Sequence, residues 1–235
     1  MYCFECKVRY SDIGADKNMT IEAVMNAFQD CCIFHSESIG IGLTYLEESG
    51  RAWILSTWQI ELIRNPALGE ELKVWTWPYG FKGFYGYRNF LMEDSEGKVV
   101  ARANSTWVFL DTKRMRPVRI MDDFGSRYGL APALEMQCDS RRIEVPQDMS
   151  EQDRLTVHRF QIDTNQHVNN EKYVQMAQEV LPWGFQVKSL RVEYRKAAVL
   201  SDLIVIKSCI CENRVVVTLE DTEQRPYAVV EFMEE

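Results

Sequence analysis

The spacing of apolar residues along the chain changes between a helical and a strand period, and these changes mark the predicted elements. Two stretches place apolar residues at positions i, i+3, i+4 and i+7, which is the spacing of one face of an α-helix. The first stretch is Ile21, Val24, Met25 and Phe28, and the second is Tyr173, Met176, Ala177 and Val180. We therefore predict two amphipathic helices, one in each half of the chain.

The two predicted helices belong to an internal repeat. Residues 10–29 and residues 160–180 each read as a short strand that ends in Asp, a polar turn, an Asn and an amphipathic helix. One gap in the turn aligns Asp12 with Asp163. We call these halves the first and the second repeat.

The similarity continues into the strands that follow each helix. Residues 53–77 and residues 189–210 each read as two strands around a turn. Residues 85–111 read as a hairpin that turns at Asp94 to Gly97, and residues 215–233 are its counterpart. A long helix packed against a curved antiparallel sheet buries the apolar faces of both. The prediction is an α+β fold.

A poorly periodic, proline-containing segment over residues 112–155 separates the repeats. It is too long for an ordinary loop, so we interpret it as a crossover with one short helix. The predicted organisation is an N-terminal domain over residues 1–125, a crossover over 126–155 and a C-terminal domain over 156–235.

Composition excludes several classes of protein. The chain of 235 residues carries a net charge of −8, which disfavours nucleic-acid binding. No apolar run approaches the roughly 18 residues that a membrane span needs, and the N-terminus lacks the pattern of a secretory signal. Seven cysteines at irregular spacing suit a reducing compartment, so we expect a cytoplasmic protein. Cys3 and Cys6 form a single C-x-x-C that we interpret as strand packing. We expect no metal and no cofactor.

The string DTNQHVNNEKY, which begins at Asp163, concentrates groups that could act together. If this segment is extended, Asp163, Asn165 and His167 present a carboxylate, an amide and an imidazole on one side. Asn169 or Asn170 is a good helix N-cap, and a helix N-terminus offers N–H donors to a developing oxyanion. A base, an orienting amide and an oxyanion donor are what water attack on an acyl group requires. The alternative is a capped helix beside a structural histidine.

The pattern D-x-x-x-H-V-N-N-x-x-Y resembles that of the thioesterases of the hotdog fold. With VEYRK at residues 192–196, the longer string resembles the acyl-acyl-carrier-protein thioesterases of plants and bacteria, and the similarity runs over the whole chain. The resemblance implies two tandem hotdog domains, each a long helix wrapped by a curved antiparallel sheet. It also implies hydrolysis of the thioester of fatty acyl-acyl-carrier protein, which releases free fatty acid and ends chain elongation.

The resemblance carries catalytic roles to Asp163, Asn165 and His167. His167 would activate water or polarise the thioester, Asn165 would orient substrate or water, and Asp163 would hold the network or act as the base. The plant enzymes carry an acid and a cysteine where this chain has Ala197 and Ala198. A cysteine nucleophile is therefore excluded there, and Glu193 would be a weak substitute for the acid.

The first repeat lacks the histidine. The gapped alignment places Asp16 or Lys17 where the second repeat has His167, while a cap-like Asn18 is retained. We therefore assign catalysis to the C-terminal domain. The N-terminal domain, in which the family resemblance locates the acyl tunnel, would bind the acyl chain.

The expected partner, acyl carrier protein with its phosphopantetheine-linked acyl chain, is acidic, so binding requires clustered positive charge. The candidate contacts are Lys113, Arg114, Arg116, Arg119 and Arg195. The alternative for these residues is a solvated surface that binds no partner. The alternative function is an acyl-CoA thioesterase of the hotdog fold, and the sequence leaves a homodimer open.

Overall fold

The computed structural model describes residues 1–234 and divides the chain into two compact units. The first unit comprises Met1–Ser56 and Ile60–Cys138, and the second comprises Thr57–Gln59 and the chain from Asp139 onwards. The fold is mixed α+β, with antiparallel sheet and few helices. Among the described residues, no helix is long and apolar enough to cross a membrane.

The first unit contains one long helix, two short helices and most of the strands. Its helices are α1 (Ile21–Ser38), α2 (Leu43–Glu48) and α3 (Asp122–Ser126). Its strands are β1 (Tyr2–Lys7), β2 (Arg51–Leu62), β3 (Glu71–Lys82), β4 (Tyr85–Asp94), β5 (Val99–Asp111) and β6 (Arg116–Pro117). The strand order is β1-β3-β4-β5-β2, with the short β6 paired to β5. The hairpin predicted to turn at Asp94 to Gly97 is confirmed, since the Gly97 N–H donates to the Asp94 carbonyl at 3.0 Å.

Helix α1 buries the stripe predicted from the sequence. Phe28 has no exposed surface, and its ring lies 5.2 Å from that of Phe90 on β4. The N-cap is Thr20, whose hydroxyl accepts a hydrogen bond from the Ala23 N–H at 3.2 Å. The interpretation of Asn18 as the cap is wrong, because Asn18 lies two residues further from the helix, in the preceding turn.

The prediction that residues 112–119 begin a crossover is wrong. The chain turns after β5 and returns as β6, whose Arg116 pairs with Asp111. The Asp111 carboxylate accepts hydrogen bonds from the N–H groups of Lys113 and Arg114, each at 3.0 Å, and so closes the turn. The basic residues of this stretch therefore lie on a hairpin of the first unit, which we call the β5–β6 hairpin.

The described part of the second unit contains one α-helix and five strands of its own, besides the 3₁₀ turn Arg159–Gln161. They are α4 (Asn170–Gln178), β7 (Ser150–Thr156), β8 (Ser189–Tyr194), β9 (Leu203–Cys211), β10 (Arg214–Glu220) and β11 (Pro226–Met233). The strand order is β8-β11-β10-β9-β7, and all the pairings are antiparallel. Consecutive valines 215–217 are fully buried, so both faces of β10 are covered. Ile143 packs against Val216 and Val229, and α4 contacts β10 and β11.

Hydrogen bonds of the two polar turns align the repeats without a gap. The Gly14 N–H donates to the Asn18 carbonyl at 2.9 Å, and the Asp163 N–H donates to the His167 carbonyl at 2.8 Å. The equivalent pairs are Ile13 and Ile162, Gly14 and Asp163, Lys17 and Gln166, Asn18 and His167, and Met19 and Val168. The predicted pairing of Asp12 with Asp163 is therefore wrong, because Gly14 occupies that place. The backbones of the two turns have the same length, so no gap separates them.

Candidate active site

The three predicted catalytic residues lie in one tight turn immediately before α4. The Asp163 carboxylate accepts hydrogen bonds from the N–H of Asn165 at 2.8 Å and of His167 at 3.4 Å. The side-chain amide of Asn165 also donates to this carboxylate at 3.4 Å. Asp163 therefore organises the turn, Asn165 is exposed and His167 is half-buried.

The segment from Asp163 to His167 was predicted to be extended, but it forms a turn. Gln166 has a φ of +63°, and its N–H donates to the Asp163 carbonyl at 3.1 Å. Ile162 and Val168 pair as an antiparallel bridge that closes the base of the turn. Asp163, Asn165 and His167 thus lie in one closed turn, because the Asp163 carboxylate accepts backbone N–H groups within it.

Asn169 is the N-cap of α4. The sequence had predicted either Asn169 or Asn170 at this position. The side-chain oxygen of Asn169 accepts from the Glu171 N–H at 3.4 Å. Its own N–H donates to the Gln161 carbonyl at 2.9 Å, so that N–H is engaged within the fold. The Asn170 carbonyl accepts a hydrogen bond from the Tyr194 hydroxyl at 3.0 Å, which fixes the start of the helix to β8.

The segment that carries Ala197 and Ala198 lies directly against the motif. Ala198 is fully buried, its carbonyl accepts from the Val168 N–H at 2.9 Å, and its N–H donates to the Tyr173 hydroxyl at 2.8 Å. Burial, partly offset by this bond, raises the pKa of Tyr173 to about 12, so the hydroxyl is neutral. The two alanines are thus next to the turn, although neither provides an acid.

Replacing Tyr173 with phenylalanine is expected to destabilise the fold by about 1–3 kcal/mol, because the buried Ala198 N–H loses its acceptor. Tyr173 is 2% exposed, whereas Tyr10 is 83% exposed. Tyr10→Phe is therefore the matched control and should leave the melting temperature unchanged. Thermal unfolding of both variants tests the assignment, and equal melting temperatures would show that this hydrogen bond contributes nothing.

Glu193 does not replace the missing acid. It neighbours Tyr194 on β8, and since side chains alternate along a strand, it points to the face opposite the one that meets α4. There it accepts hydrogen bonds from Arg195 at 2.8 and 3.0 Å and from the Ile143 N–H at 3.1 Å. Burial alone would raise the pKa of Glu193, but these hydrogen bonds lower it overall.

Two carboxylates near the motif were not identified from the sequence as site residues. Glu171, in the first turn of α4, is 5% exposed and lies 3.0 Å from the Lys172 ammonium. The Asp202 carboxylate accepts from the Tyr227 hydroxyl at 3.0 Å and from the Val199 N–H at 3.0 Å. Its charge also acts to raise the pKa of Tyr173. The sequence predicts that Glu171 lies at the start of a helix, but no feature of the sequence predicts that its side chain is buried.

The first repeat has no comparable site. Asn18 takes the place of His167, and both its N–H and its side-chain amide donate to the Asp16 carboxylate at 3.0 Å. These bonds lower the pKa of Asp16. Gly14 replaces Asp163, so the first turn has neither the imidazole nor the carboxylate that organises the second turn.

The basic residues predicted to bind a partner fall into two groups. Four of them lie on or beside the β5–β6 hairpin, are exposed and form no ion pair with any described residue: Lys113, Arg114, Arg116 and Arg119. Arg195, in the second unit, instead forms an ion pair with Glu193 at 2.8 Å. The hairpin is therefore the better candidate surface.

None of the cysteines lies in the turn that carries the motif. All seven cysteines are free thiols, and Cys3 and Cys6 both lie on β1. Residues 1–234 contain no group of three or more His, Cys, Asp or Glu side chains that could hold a metal ion.

Comparison with known families matches both halves of the chain. The family described as the acyl-ACP thioesterase N-terminal domain matches residues 1–128, and the family described as the acyl-ACP thioesterase C-terminal domain matches residues 144–227. The chain is 30% identical over 215 residues to a chloroplastic dodecanoyl-(acyl-carrier-protein) hydrolase of Cinnamomum camphora, an alignment covering 84% of this chain and 56% of the relative. The chain thus spans about half the length of the curated relatives it matches.

Solved structures show the same fold. An acyl-ACP thioesterase from Bacteroides thetaiotaomicron superposes with a TM-score of 0.89 at 22% identity, covering 99% of this chain and 97% of that one. The 12:0-ACP thioesterase from Umbellularia californica superposes with a TM-score of 0.86 at 22% identity, again covering 99% of this chain and 97% of the other.

Proposed function

The chain belongs to the acyl-ACP thioesterase family, and from this premise we propose that it hydrolyses the thioester of fatty acyl-acyl-carrier protein. The products are a free fatty acid and the carrier thiol. The observation that carries the proposal is the closed turn before α4, in which Asp163 organises Asn165 and His167. An imidazole, an amide and a carboxylate at a helix N-terminus supply the groups that thioester hydrolysis needs.

We assign the steps as follows. His167 removes a proton from the attacking water and passes it to the departing carrier thiolate, and Asn165, exposed at the tip of the turn, orients that water or the thioester carbonyl. Asp163 holds the turn in shape through the backbone N–H groups of both residues. The N-terminus of α4, with Asn169 as its cap and Asn170 as its first residue, stabilises the oxyanion through its positive end.

The finer architecture in this proposal is a tandem of two hotdog domains. Each unit has a helix packed on an antiparallel sheet, and the two turns share one hydrogen-bond pattern. The second unit performs the chemistry, and the first unit, which lacks the histidine, binds the acyl chain. A cytoplasmic location and a homodimer stay predictions from the sequence.

Matched thioesters test the carrier preference. Steady-state hydrolysis of octanoyl, dodecanoyl and hexadecanoyl chains, each supplied on acyl carrier protein and on CoA, should give the higher kcat/KM on the carrier protein at every length. A higher kcat/KM on CoA would favour the acyl-CoA thioesterase. Absence of thiol release from all six substrates would reject thioester hydrolysis.

Reversing charge on the β5–β6 hairpin is expected to weaken carrier binding. Arg114→Glu combined with Arg116→Glu should raise the KM for acyl-carrier substrate more than the KM for a short acyl thioester, because an acidic carrier is then repelled. Added salt should raise the wild-type KM for the carrier substrate, since exposed charges are screened within about 8 Å at physiological ionic strength.

The control makes the same charge change elsewhere on the first unit. Lys7 and Arg9 are exposed basic residues at the end of β1 and after it, with side chains 60% and 76% exposed. Lys7→Glu combined with Arg9→Glu should leave the carrier KM near the wild-type value. Equal effects of the hairpin variant on both substrates would show that the hairpin is a solvated surface.

A further inference from the structure

Two cysteines of the second unit lie side by side at the end of β9. Cys209 and Cys211 are two residues apart on the strand, so their side chains point to the same face of the sheet. Their Sγ atoms are 3.6 Å apart, close enough for one thiol to donate a hydrogen bond to the other. From the sequence alone we expected no metal, and the distance between these two sulfur atoms is a property of the fold only.

The pair lies at a partly open edge of the sheet. Cys209 and Cys211 are half-buried free thiols. The first residue of β7, Ser150, pairs with Ser208 of β9, so the ladder between these strands stops one residue before the pair. On the other side of β9, Arg214 of β10 pairs with Cys211. Both thiols are therefore accessible in part to small solutes.

The strand geometry favours an ion between the two sulfur atoms over a disulfide. A disulfide needs Cβ atoms about 3.5–4.5 Å apart, whereas side chains two residues apart on a strand are separated by about 6.6–6.8 Å. Forming that bond would pull Cys211 out of its ladder with β10. Two thiolates on one metal are about 3.8–4.6 Å apart, for metal–sulfur bonds of about 2.3 Å at angles from tetrahedral to linear. Rotation of the side chains alone brings the sulfur atoms to that separation.

The neighbours of the pair set the proton competition for such an ion. The hydrogen bond with Cys211, followed by burial, raises the pKa of Cys209. The Asp148 carboxylate adds to this rise, while Arg214, opposite Cys211 on β10, acts against it. Cys209 therefore keeps its proton at neutral pH until a ligand displaces it.

We propose that Cys209 and Cys211 form a two-thiolate site for a soft monovalent cation of the Cu(I) class. Soft thiolate ligands select Cu(I), zinc and iron–sulfur clusters. Structural zinc sites and iron–sulfur clusters use four protein ligands. Residues 1–234 contain no group of three or more His, Cys, Asp or Glu side chains that could hold a metal. Cu(I) is satisfied by two thiolates, so this pair suffices. The site does not depend on the proposed thioester hydrolysis.

Anaerobic competition with the chromophoric chelator bicinchoninate tests the site on the full chain. Wild-type protein should remove one Cu(I) per chain from the chelator. Cys209→Ser and Cys211→Ser should each weaken Cu(I) binding by about a hundredfold or more, because one of the two metal–sulfur bonds is lost. Protons compete with the metal for thiolate, so the wild-type affinity should rise between about pH 6 and about pH 8.

The C-x-x-C near the N-terminus supplies the matched control. Cys3 and Cys6 are three residues apart on β1, so their side chains point to opposite faces of the sheet. Cys3→Ser combined with Cys6→Ser should therefore keep the wild-type affinity for Cu(I). An equal loss in this double variant, or wild-type affinity in Cys209→Ser, would overturn the assignment. Zinc binding as tight as Cu(I) binding would also overturn it, since zinc requires further ligands.

Alkylation of the wild-type protein tests the site without any variant. Trypsin places both thiols of the pair in the peptide 208–214, and it places Cys3 and Cys6 in the peptide 1–7. Cu(I) should slow labelling of the first peptide by N-ethylmaleimide about tenfold or more, because a metal-bound thiolate is not free to react. The second peptide should keep its rate. Equal labelling of peptide 208–214 with and without Cu(I), or protection of the peptide 1–7 instead, would contradict the site.

Oxidation distinguishes the metal site from a redox pair. Glutathione disulfide should leave no internal disulfide in the peptide 208–214, because the Cβ atoms are too far apart while β9 is paired with β10. A peptide that is lighter by two hydrogen atoms after this treatment would show that the strand end opens. The pair would then be a redox dithiol, and the metal site would be rejected.

Discussion

Replacing His167 with alanine is expected to remove most thioester hydrolysis while the protein stays folded. Loss of a general acid or base typically lowers a rate about 10²–10⁴-fold. The turn should survive, because the hydrogen bonds that close it use the N–H and carbonyl of His167. Asn165→Ala should also lower kcat strongly with little effect on stability, since its side chain is exposed and its amide makes only a 3.4 Å contact with Asp163.

The internal repeat provides the matched control. Asn18 occupies the equivalent position in the first turn, so Asn18→Ala makes the same truncation in a turn that lacks catalytic groups. Steady-state hydrolysis of dodecanoyl-acyl-carrier protein, with circular dichroism to verify folding, should show near-wild-type turnover for Asn18→Ala. Near-wild-type turnover for His167→Ala, or equal inactivation of a folded Asn18→Ala, would refute the assignment of chemistry to the second unit.

Replacing Phe28 with alanine is expected to lower the free energy of unfolding by about 3–5 kcal/mol, the usual cost of truncating a buried phenylalanine. Phe28 is fully buried on α1 and packs against Phe90 at 5.2 Å. The lost ring removes apolar burial and leaves a cavity between the helix and the sheet. For a protein of this size each kcal/mol corresponds to about 2–4 °C, so the melting temperature should fall by roughly 6–20 °C.

Phe34 on the same helix is the control, because it carries the same side chain but is 43% exposed. Its ring contacts that of Phe4 edge-to-face, with the ring centres 5.5 Å apart. Phe34→Ala should therefore cost well under half as much as Phe28→Ala in urea unfolding. Similar losses for the two variants would mean that α1 does not pack on the sheet through the predicted stripe.

Local sequence was enough for the first helix, for one hairpin and for the family. The stripe of Ile21, Val24, Met25 and Phe28 is buried, because a helical period leaves only one face on which apolar groups can be removed from water. The hairpin at Asp94 to Gly97 formed as predicted, since the Gly97 φ of +77° is a conformation that glycine adopts without strain. The DTNQHVNNEKY string led to the family whose two domain models match residues 1–128 and 144–227.

Hydrogen bonds within the two turns corrected the alignment of the repeats and the predicted shape of the motif. The repeat needed no gap, because backbone hydrogen bonds, rather than matching acids, set Gly14 opposite Asp163. The motif folded as a turn because the Asp163 carboxylate accepts N–H groups from within the segment, which competes with extension.

The sequence by itself determined the buried stripe of α1, the hairpin at Asp94 to Gly97 and the place of the reactive string, because period and turn chemistry act over a few residues. Only the tertiary structure decided which polar groups are buried and what they meet. Arg88 and Glu171 read like surface charges in the sequence, yet they are 6% and 5% exposed. Burial depends on strands and helices that are distant in the sequence and pack together in the fold. The free-energy cost of burying a charge depends on the partners that those elements provide.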